Sequence, residues 1–443
     1  MKKTILAFTM LLAAVTGFAG NEELGIYNRT DLGSFWRYDF RYLTTDTDGV
    51  SNVTLSAAIF MHKDLQSKKK DGKGCILLNH YTITSDADRP TNVTQLAQLE
   101  GALSMSKYFI IESDGIGFGL TKDRQQPYLQ GRTLGKANID AFIAGRKLID
   151  EEGLAYDAAV VNIGYSQGGF LGAWVDRLVS EGYRNDELPK IDYTLIGDGP
   201  YDIYSTYLEV IKDSVTHYPV ALPLVLSDLL ADKSLGISPQ DLLTQEFLDH
   251  LQEWFDSKAY STDSINAMTY RLFGSNEKSG ISVGKLFNMN LWDSGNAMVQ
   301  EKIRPWMESH SLTYDNWMPS RTDSITIVHS KGDEVVPFVN ARSLERQYKR
   351  MGYTAYDVDS AYTQTHLQTG TSFAMKAIMA LATFKPKSID TAITTVSRAK
   401  ATSGNRNVYG LDGRMVLSGS EYGAGFARLP KGVYIINGRK VVK

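Results

Sequence analysis

The apolar run Val160-Val161-Asn162-Ile163 passes without a linker into Gly164-Tyr165-Ser166-Gln167-Gly168-Gly169, and an amphipathic stretch follows at once. A strand that becomes a helix in so few residues must turn sharply. Its backbone is strained at the apex, and only small residues two positions before and after the apex let strand and helix approach. Gly164 and Gly168 occupy those positions and Ser166 is the apex. The turn lifts Ser166 Oγ above the sheet, and the Gln167 N–H, at the helix N-terminus, is aimed where negative charge would develop. A bare G-x-S-x-G arises by chance, or as a turn with an N-capping Ser. The flanking strand and helix make Ser166 a candidate nucleophile and Gln167 a candidate oxyanion donor.

The rest of the middle repeats that alternation. Val53–Met61, Cys75–His80, Tyr108–Ser113, Ala158–Gly164, Asp192–Ile196, Ile325–His329 and Ala355–Val358 read as buried strands. Leu134–Asp150, Gln167–Ser180, Val339–Met351 and Thr371–Thr383 read as helices. Strand–helix alternation predicts an α/β fold with a mostly parallel sheet covered on both faces. Chemistry then gathers at the carboxyl ends of the strands. Residues 201–321 interrupt the pattern with helix-type periodicity, as in Asp241–Phe255 after Ser238-Pro239, and hold Trp254, Trp292, Trp306 and Trp317. They read as a helical cap inserted between two sheet strands; an independent helical domain is the bland alternative. The cap's Trp and Met residues read as core before they read as an acyl tunnel.

A serine hydroxyl needs a base. Seven histidines are available: His62, His80, His217, His250, His310, His329 and His366. With the nucleophile on a strand-to-helix turn, the acid and then the histidine follow it in the chain. His366, after the last strand, fits the base; its bland reading is a surface loop residue. In Val328-His329-Ser330-Lys331-Gly332-Asp333-Glu334, Asp333 fits the acid, holding the imidazole tautomer, in preference to Glu334. The second oxyanion donor is expected from the loop after Cys75–His80. The Tyr81 N–H is chosen, with Thr82, Ser85 and Asp86 as alternatives. His80 orients this loop or is a satisfied core residue, the latter preferred.

Ile111-Glu112-Ser113-Asp114-Gly115-Ile116-Gly117-Phe118-Gly119-Leu120, then Pro127-Tyr128-Leu129, then the Gly164–Gly169 turn, resembles the secreted (fungal-type) lipase family of α/β-hydrolases. The likeness covers roughly Tyr27–Lys385 in order of elements. It implies the α/β-hydrolase fold, a lid over an acyl pocket, carboxylic-ester hydrolysis and the set Ser166, Asp333 and His366. The loop 79–90 lacks the family's His-Gly start, and the cap does not match clearly.

The ends differ from the middle. Met1 to Ala19 reads as a secretory signal: Lys2 and Lys3, an apolar run Ile5–Val15, then Gly17 and Ala19. The chain is −3 overall, yet Arg398–Lys443 carries nine Lys/Arg against two Asp/Glu, so the tail is a separate basic module after a linker at 386–397. Asp412-Gly413 and Asn437-Gly438 mark its hairpins. Leu429-Pro430-Lys431-Gly432-Val433-Tyr434-Ile435-Ile436-Asn437-Gly438-Arg439-Lys440-Val441-Val442-Lys443 resembles the C-terminal sorting domain of the Bacteroidetes type IX secretion system. That resemblance implies export machinery as a partner and a secreted or outer-surface location; a β-sandwich that stays in place is the alternative. The domains expected are thus 1–19, 20–200, 201–321, 322–385, 386–397 and 398–443.

The lone Cys75 excludes an intrachain disulfide or a thiolate metal cluster. The charge balance argues against nucleic acid, and no apolar run after Gly20 has transmembrane length. No metal and no cofactor is expected for the chemistry. The substrate expected is a small-molecule, lipid or polysaccharide ester. A serine peptidase, an acetyl or feruloyl esterase of polysaccharide, and a non-catalytic surface binding protein are the competing readings.

Overall fold

The computed structural model describes residues 23–66, 72–95, 98–154, 156–291 and 293–384, and within the C-terminal part 407–410, 414–417, 426, 428–430, 433–436 and 439–442. The expected signal at 1–19, the linker at 386–397, Trp292 and the two tail turns lie outside them. The chain divides into two compact units, Met1–Lys385 and Pro386–Lys443.

The larger unit is built on nine strands. An antiparallel hairpin, β1 (Gly25–Leu32) and β2 (Phe35–Thr45), leads to β3 (Asn52–His62) and β4 (Gly72–Asn79). Helix α1 (Gln98–Ser104), β5 (Phe109–Ser113), α2 (Gly131–Glu151), β6 (Tyr156–Tyr165), α3 (Gln167–Ser180) and β7 (Tyr193–Gly197) follow. Between β7 and β10 lies an inserted helical region: α4 (Ile203–Asp213), β8 (Val215–Thr216), α5 (Ala221–Ala231), α6 (Pro239–Leu242), α7 (Gln245–Leu251), α8 (Thr262–Leu272), β9 (Ile281–Ser282), α9 (Val283–Leu286) and α10 (Arg304–His310). The sheet resumes with β10 (Ile325–Val328), α11 (Val339–Arg350), β11 (Tyr356–Asp359) and α12 (His366–Thr383).

The sheet order is β1-β2-β3-β5-β4-β6-β7-β10-β11. From β5 to β11 every pairing is parallel, and β1, β2 and β3 join antiparallel. Alternate side chains serve opposite faces. Cys75, Leu77, Phe109 and Ile111 pack with Phe142, Trp174 and Tyr348 from α2, α3 and α11. Ile76, Leu78 and Ile110 pack with Leu99 and Leu103 of α1 and Phe373 and Leu381 of α12. Both faces are buried, so these strands read as continuous apolar runs. Burial pushes the Cys75 thiol up to about 12, which makes it inert packing.

Two of the expected helices have other bounds. The helix expected over Asp241–Phe255 is broken. A capping box from Ser238 and Asp241 with Pro239 starts α6, but Leu243 is extended and bridges Phe287, and α7 then runs into a wider π-turn at Gln252–Asp256. Conversely, α12 begins five residues before Thr371, because Thr365 and Gln368 form a capping box that starts the helix at His366.

In the smaller unit, Val408–Tyr409 (β12), Met415–Leu417 (β13), Val433–Ile436 (β14) and Arg439–Val442 (β15) form a sheet in the order β13-β12-β14-β15. Val408, Tyr434 and Ile436 make its core, with Phe426 and Leu429 packed against them.

Candidate active site

Ser166 stands between β6 and α3 with φ 58° and ψ −123°. This is a conformation that L-residues adopt at a cost of about 1–3 kcal/mol. Two contacts hold it there. Ser166 N–H donates to Gly197 O of β7 at 2.8 Å, and Phe170 N–H donates to Ser166 O at 3.1 Å. The flanking glycines are needed for close approach. A Cβ on Gly164 would lie 2.1 Å from Gly168 O, and one on Gly168 would lie 2.1 Å from Asn79 O.

His366 and Asp333 reach the same point from the neighbouring strand ends. Asp333 lies in the turn after β10. Its Oδ1 accepts from Val335 N–H at 2.8 Å and Val336 N–H at 2.7 Å, which fixes the carboxylate plane. Its Oδ2 accepts from His366 Nδ1–H at 2.6 Å. That bond sets the tautomer, so Nε2 offers a lone pair, and Ser166 Oγ–H donates to it at 2.8 Å. Burial works against the ionised form of Asp333. The charge and hydrogen bond of His366 outweigh it and hold the carboxyl below the ordinary range. For His366, burial favours the neutral ring, but Asp333, Asp198 and Glu334 outweigh it and hold the imidazole above its ordinary value. Glu334 has a different part: its Oε2 accepts from the His366 backbone N–H at 3.0 Å.

Around Ser166 the structure also gathers the loop after β4. Tyr81 and Thr82 border the space next to Ser166 and His366, and Thr82 and Gln167 border the cavity beyond Ser166. Gln167 opens α3, so its N–H belongs to the first helical turn, which has no intrahelical acceptor. Its side chain is tied back, donating to Tyr128 O at 2.7 Å. Ser85 and Asp86 serve the loop instead. Ser85 Oγ accepts from Ala87 N–H at 3.1 Å, and Asp86 Oδ1 accepts from Gly119 N–H at 2.7 Å.

Some neighbours of the site have no clear signal in the sequence. Tyr165, the variable residue of G-x-S-x-G, stacks its ring 5.3 Å from that of His366. Its hydroxyl lies 2.6 Å from Asp198 Oδ2 and contacts the His366 carbonyl. Asp198 is buried behind it and accepts from Ser330 N–H at 2.8 Å. His329, one residue past β10, donates from Nε2 to Val336 O at 2.9 Å.

Among the described residues two clusters have the composition of a metal site, Asp198–His329–Asp333 and His80–Glu100–Glu112. In the first, both Asp333 oxygens are already committed as acceptors. The second is discussed below.

Beyond Ser166 a mostly apolar cavity lies between the sheet and the cap. Ile203, Tyr207, Val210, Leu222, Val225, Phe287, Leu291 and Met307 line it from the cap, with Leu129, Val335 and Val336 from below. Trp254, Trp306 and Trp317 are buried and do not line it, and Trp317 packs against Tyr348 of α11 and Arg177 of α3.

The sheet order, the inserted cap and the strand-to-helix turn define the α/β-hydrolase fold. No protein-family profile matches the sequence, and no curated protein is similar to it. Solved structures are similar in fold. The rice cell wall degrading esterase LipA from Xanthomonas oryzae superposes with a TM-score of 0.64 at 18% identity, covering 79% of this chain and 89% of that one. A putative hydrolase from Legionella pneumophila gives a TM-score of 0.65 at 17% identity, covering 81% and 90%. Candida antarctica lipase A gives 0.54 at 17% identity, covering 81% and 83%. The fold is thus related to that of bacterial and fungal esterases and lipases.

Proposed function

We propose that the chain is a serine hydrolase of carboxylic esters whose acyl part is apolar. The observation that carries this is the hydrogen-bonded chain Ser166–His366–Asp333 whose Ser166 lines an apolar cavity. In the proposed cycle His366 Nε2 takes the Ser166 proton as Oγ attacks the ester carbonyl. The oxyanion is held by the Gln167 N–H and by an N–H of the loop at Tyr81 or Thr82. His366 then gives the proton to the departing alkoxide. Water, activated by the same ring, hydrolyses the acyl-enzyme. A cavity walled by aliphatic side chains favours an alkyl chain over a sugar or a charged peptide, because it would leave their polar groups without partners.

A second reading follows from the likeness to a cell wall degrading esterase: removal of acyl groups from polysaccharide. A panel of p-nitrophenyl esters from acetyl to palmitoyl, with feruloyl esters and aminoacyl anilides alongside, separates the readings. Increasing kcat/KM with chain length supports the first, and a preference for acetyl or feruloyl supports the second. Ester hydrolysis that survives Ser166→Ala in pure protein would rule out both, as would failure to react with a fluorophosphonate.

For location we propose export, with 1–19 as a removable signal and 398–443 as a sorting signal. Support comes from the sequence of the two ends. Deleting 398–443 should leave the protein inside the cell envelope; unchanged export would sink the sorting role. Among the described residues no helix is long and apolar enough to cross a membrane.

A further inference from the structure

Three side chains converge beneath the loop that carries Tyr81 and Thr82. His80 is the first residue after β4, Glu112 lies in β5, and Glu100 lies in α1. The parallel register of β4 and β5 sets Leu78 opposite Glu112, which brings the end of β4 to the glutamate. One ligating atom from each residue lies within 4.8 Å of the others. Glu100 and Glu112 are 4% and 2% exposed. Glu100 Oε2 and Glu112 Oε1 are buried without a hydrogen-bond partner. Among the described residues neither carboxylate is paired with Lys or Arg.

The tautomer of His80 makes the arrangement more demanding. Its Nδ1–H donates to Tyr81 O at 2.6 Å, so Nε2 carries a bare lone pair. That lone pair is 4.0 Å from Glu112 Oε1, too far for a hydrogen bond. Three electron-pair donors therefore face one buried space, and among the described residues no hydrogen-bond donor reaches Glu100 Oε2 or Glu112 Oε1. An unpaired buried carboxylate is costly, and two beside each other more so.

We propose that His80 Nε2, Glu100 and Glu112 bind one divalent cation of the zinc type. One imidazole and two carboxylates supply the nitrogen and oxygen donors that zinc takes, and two negative charges neutralise it. Donors about 2.1 Å from a tetrahedral zinc lie about 3.4 Å apart, so the 4.0 Å between His80 Nε2 and Glu112 Oε1 has to close by about 0.6 Å, and no pair, all being within 4.8 Å, by more than about 1.4 Å. The Nδ1–H bond to Tyr81 O is the outer contact that orients a metal-binding imidazole. The cation does not touch substrate. It fixes the stem of the loop bearing Tyr81 and Thr82, and is a positioning element for the oxyanion donor.

The test uses the full chain, purified, stripped with chelator and dialysed against zinc, calcium or magnesium. Bound metal is counted by atomic emission and thermal unfolding is followed against metal concentration. About one zinc per chain should be retained, with a midpoint that rises with zinc; calcium and magnesium should do neither. Glu112→Gln and His80→Gln should each lose the retained zinc and the shift. The proposal is overturned if wild-type protein keeps no zinc and shows no shift, if calcium or magnesium acts in place of zinc, or if both variants bind zinc as well as wild type. If Glu112→Gln unfolds during purification, the wild-type titration and His80→Gln still decide. A neutral acid pair that shares protons predicts no metal in any of these samples.

Discussion

Each residue of the Ser166–His366–Asp333 chain is held by a different kind of constraint. Ser166→Ala should lower kcat by about 10⁶ and Asp333→Asn by about 10⁴, because the first removes the nucleophile and the second the tautomer control. Glu334→Gln keeps an acceptor for the His366 N–H and should cost less than about tenfold, about 1.4 kcal/mol of barrier. Steady-state kinetics on one ester ranks the three; a larger loss for Glu334→Gln than for Asp333→Asn would exchange their roles. The pH profile carries the sign of the imidazole shift. His366 acts as base only when neutral, and its carboxylate neighbours hold it above the ordinary value of 6.5. The rate should therefore rise with pH to a plateau beyond that value, and Asp333→Asn should move the inflection down. Stability runs the other way. The raised His366 value contributes stability that is complete below the unfolded value and lost as pH rises through the folded one. The strain at Ser166 is separable from its chemistry. Ser166→Gly should be more stable than Ser166→Ala by about 1 kcal/mol, since glycine alone tolerates the backbone angles. Equal urea midpoints for the two would remove the strain from the account.

At the scale of elements, close approach governs. Gly168→Ala drives a methyl into Asn79 O at the end of β4 and should cost about 3 kcal/mol or more, read as a lowered urea midpoint with β4 and α3 pushed apart. The same geometry explains what the sequence disclosed. The parallel strands and the turn at Ser166 were readable because two buried faces give unbroken apolar runs and glycines stand where atoms touch. The first hairpin was not readable. Phe35–Thr45 carries Arg37 and Asp39 in its buried part, joined at 2.7 Å as an ion pair, so charge stands where an apolar residue is expected. Helix α1 was missed because seven residues span too few turns to show a period. For the site, Ser166, Asp333 and His366 are legible from chain order and strand ends. Tyr165, Asp198 and His329 are not, since their placement depends on which strands are neighbours.

At the scale of the molecule, the larger unit holds the whole cavity and all three residues of the Ser166 chain. A protein ending at Lys385 should therefore fold and hydrolyse esters with kcat/KM within a factor of about two of full length, a difference of about 0.4 kcal/mol. Loss of activity on truncation would tie the basic tail to catalysis. The cavity walls make a second forecast. Val225→Trp takes space from the cavity on its cap side and should move the preferred chain length downward, which a p-nitrophenyl series reads directly.

β7 and β10 are parallel neighbours with Ile325 opposite Thr194, so the chain leaves the sheet at Gly197, the carboxyl end of one strand, and returns at Ile325, the amino end of the next, with α4–α10 strung between. Seen as inheritance, that makes the cap a cassette. Its length and lining can drift, lengthen or be exchanged while the two splice points stay one strand apart, and selection can rewrite what the protein accepts without renegotiating how it reacts.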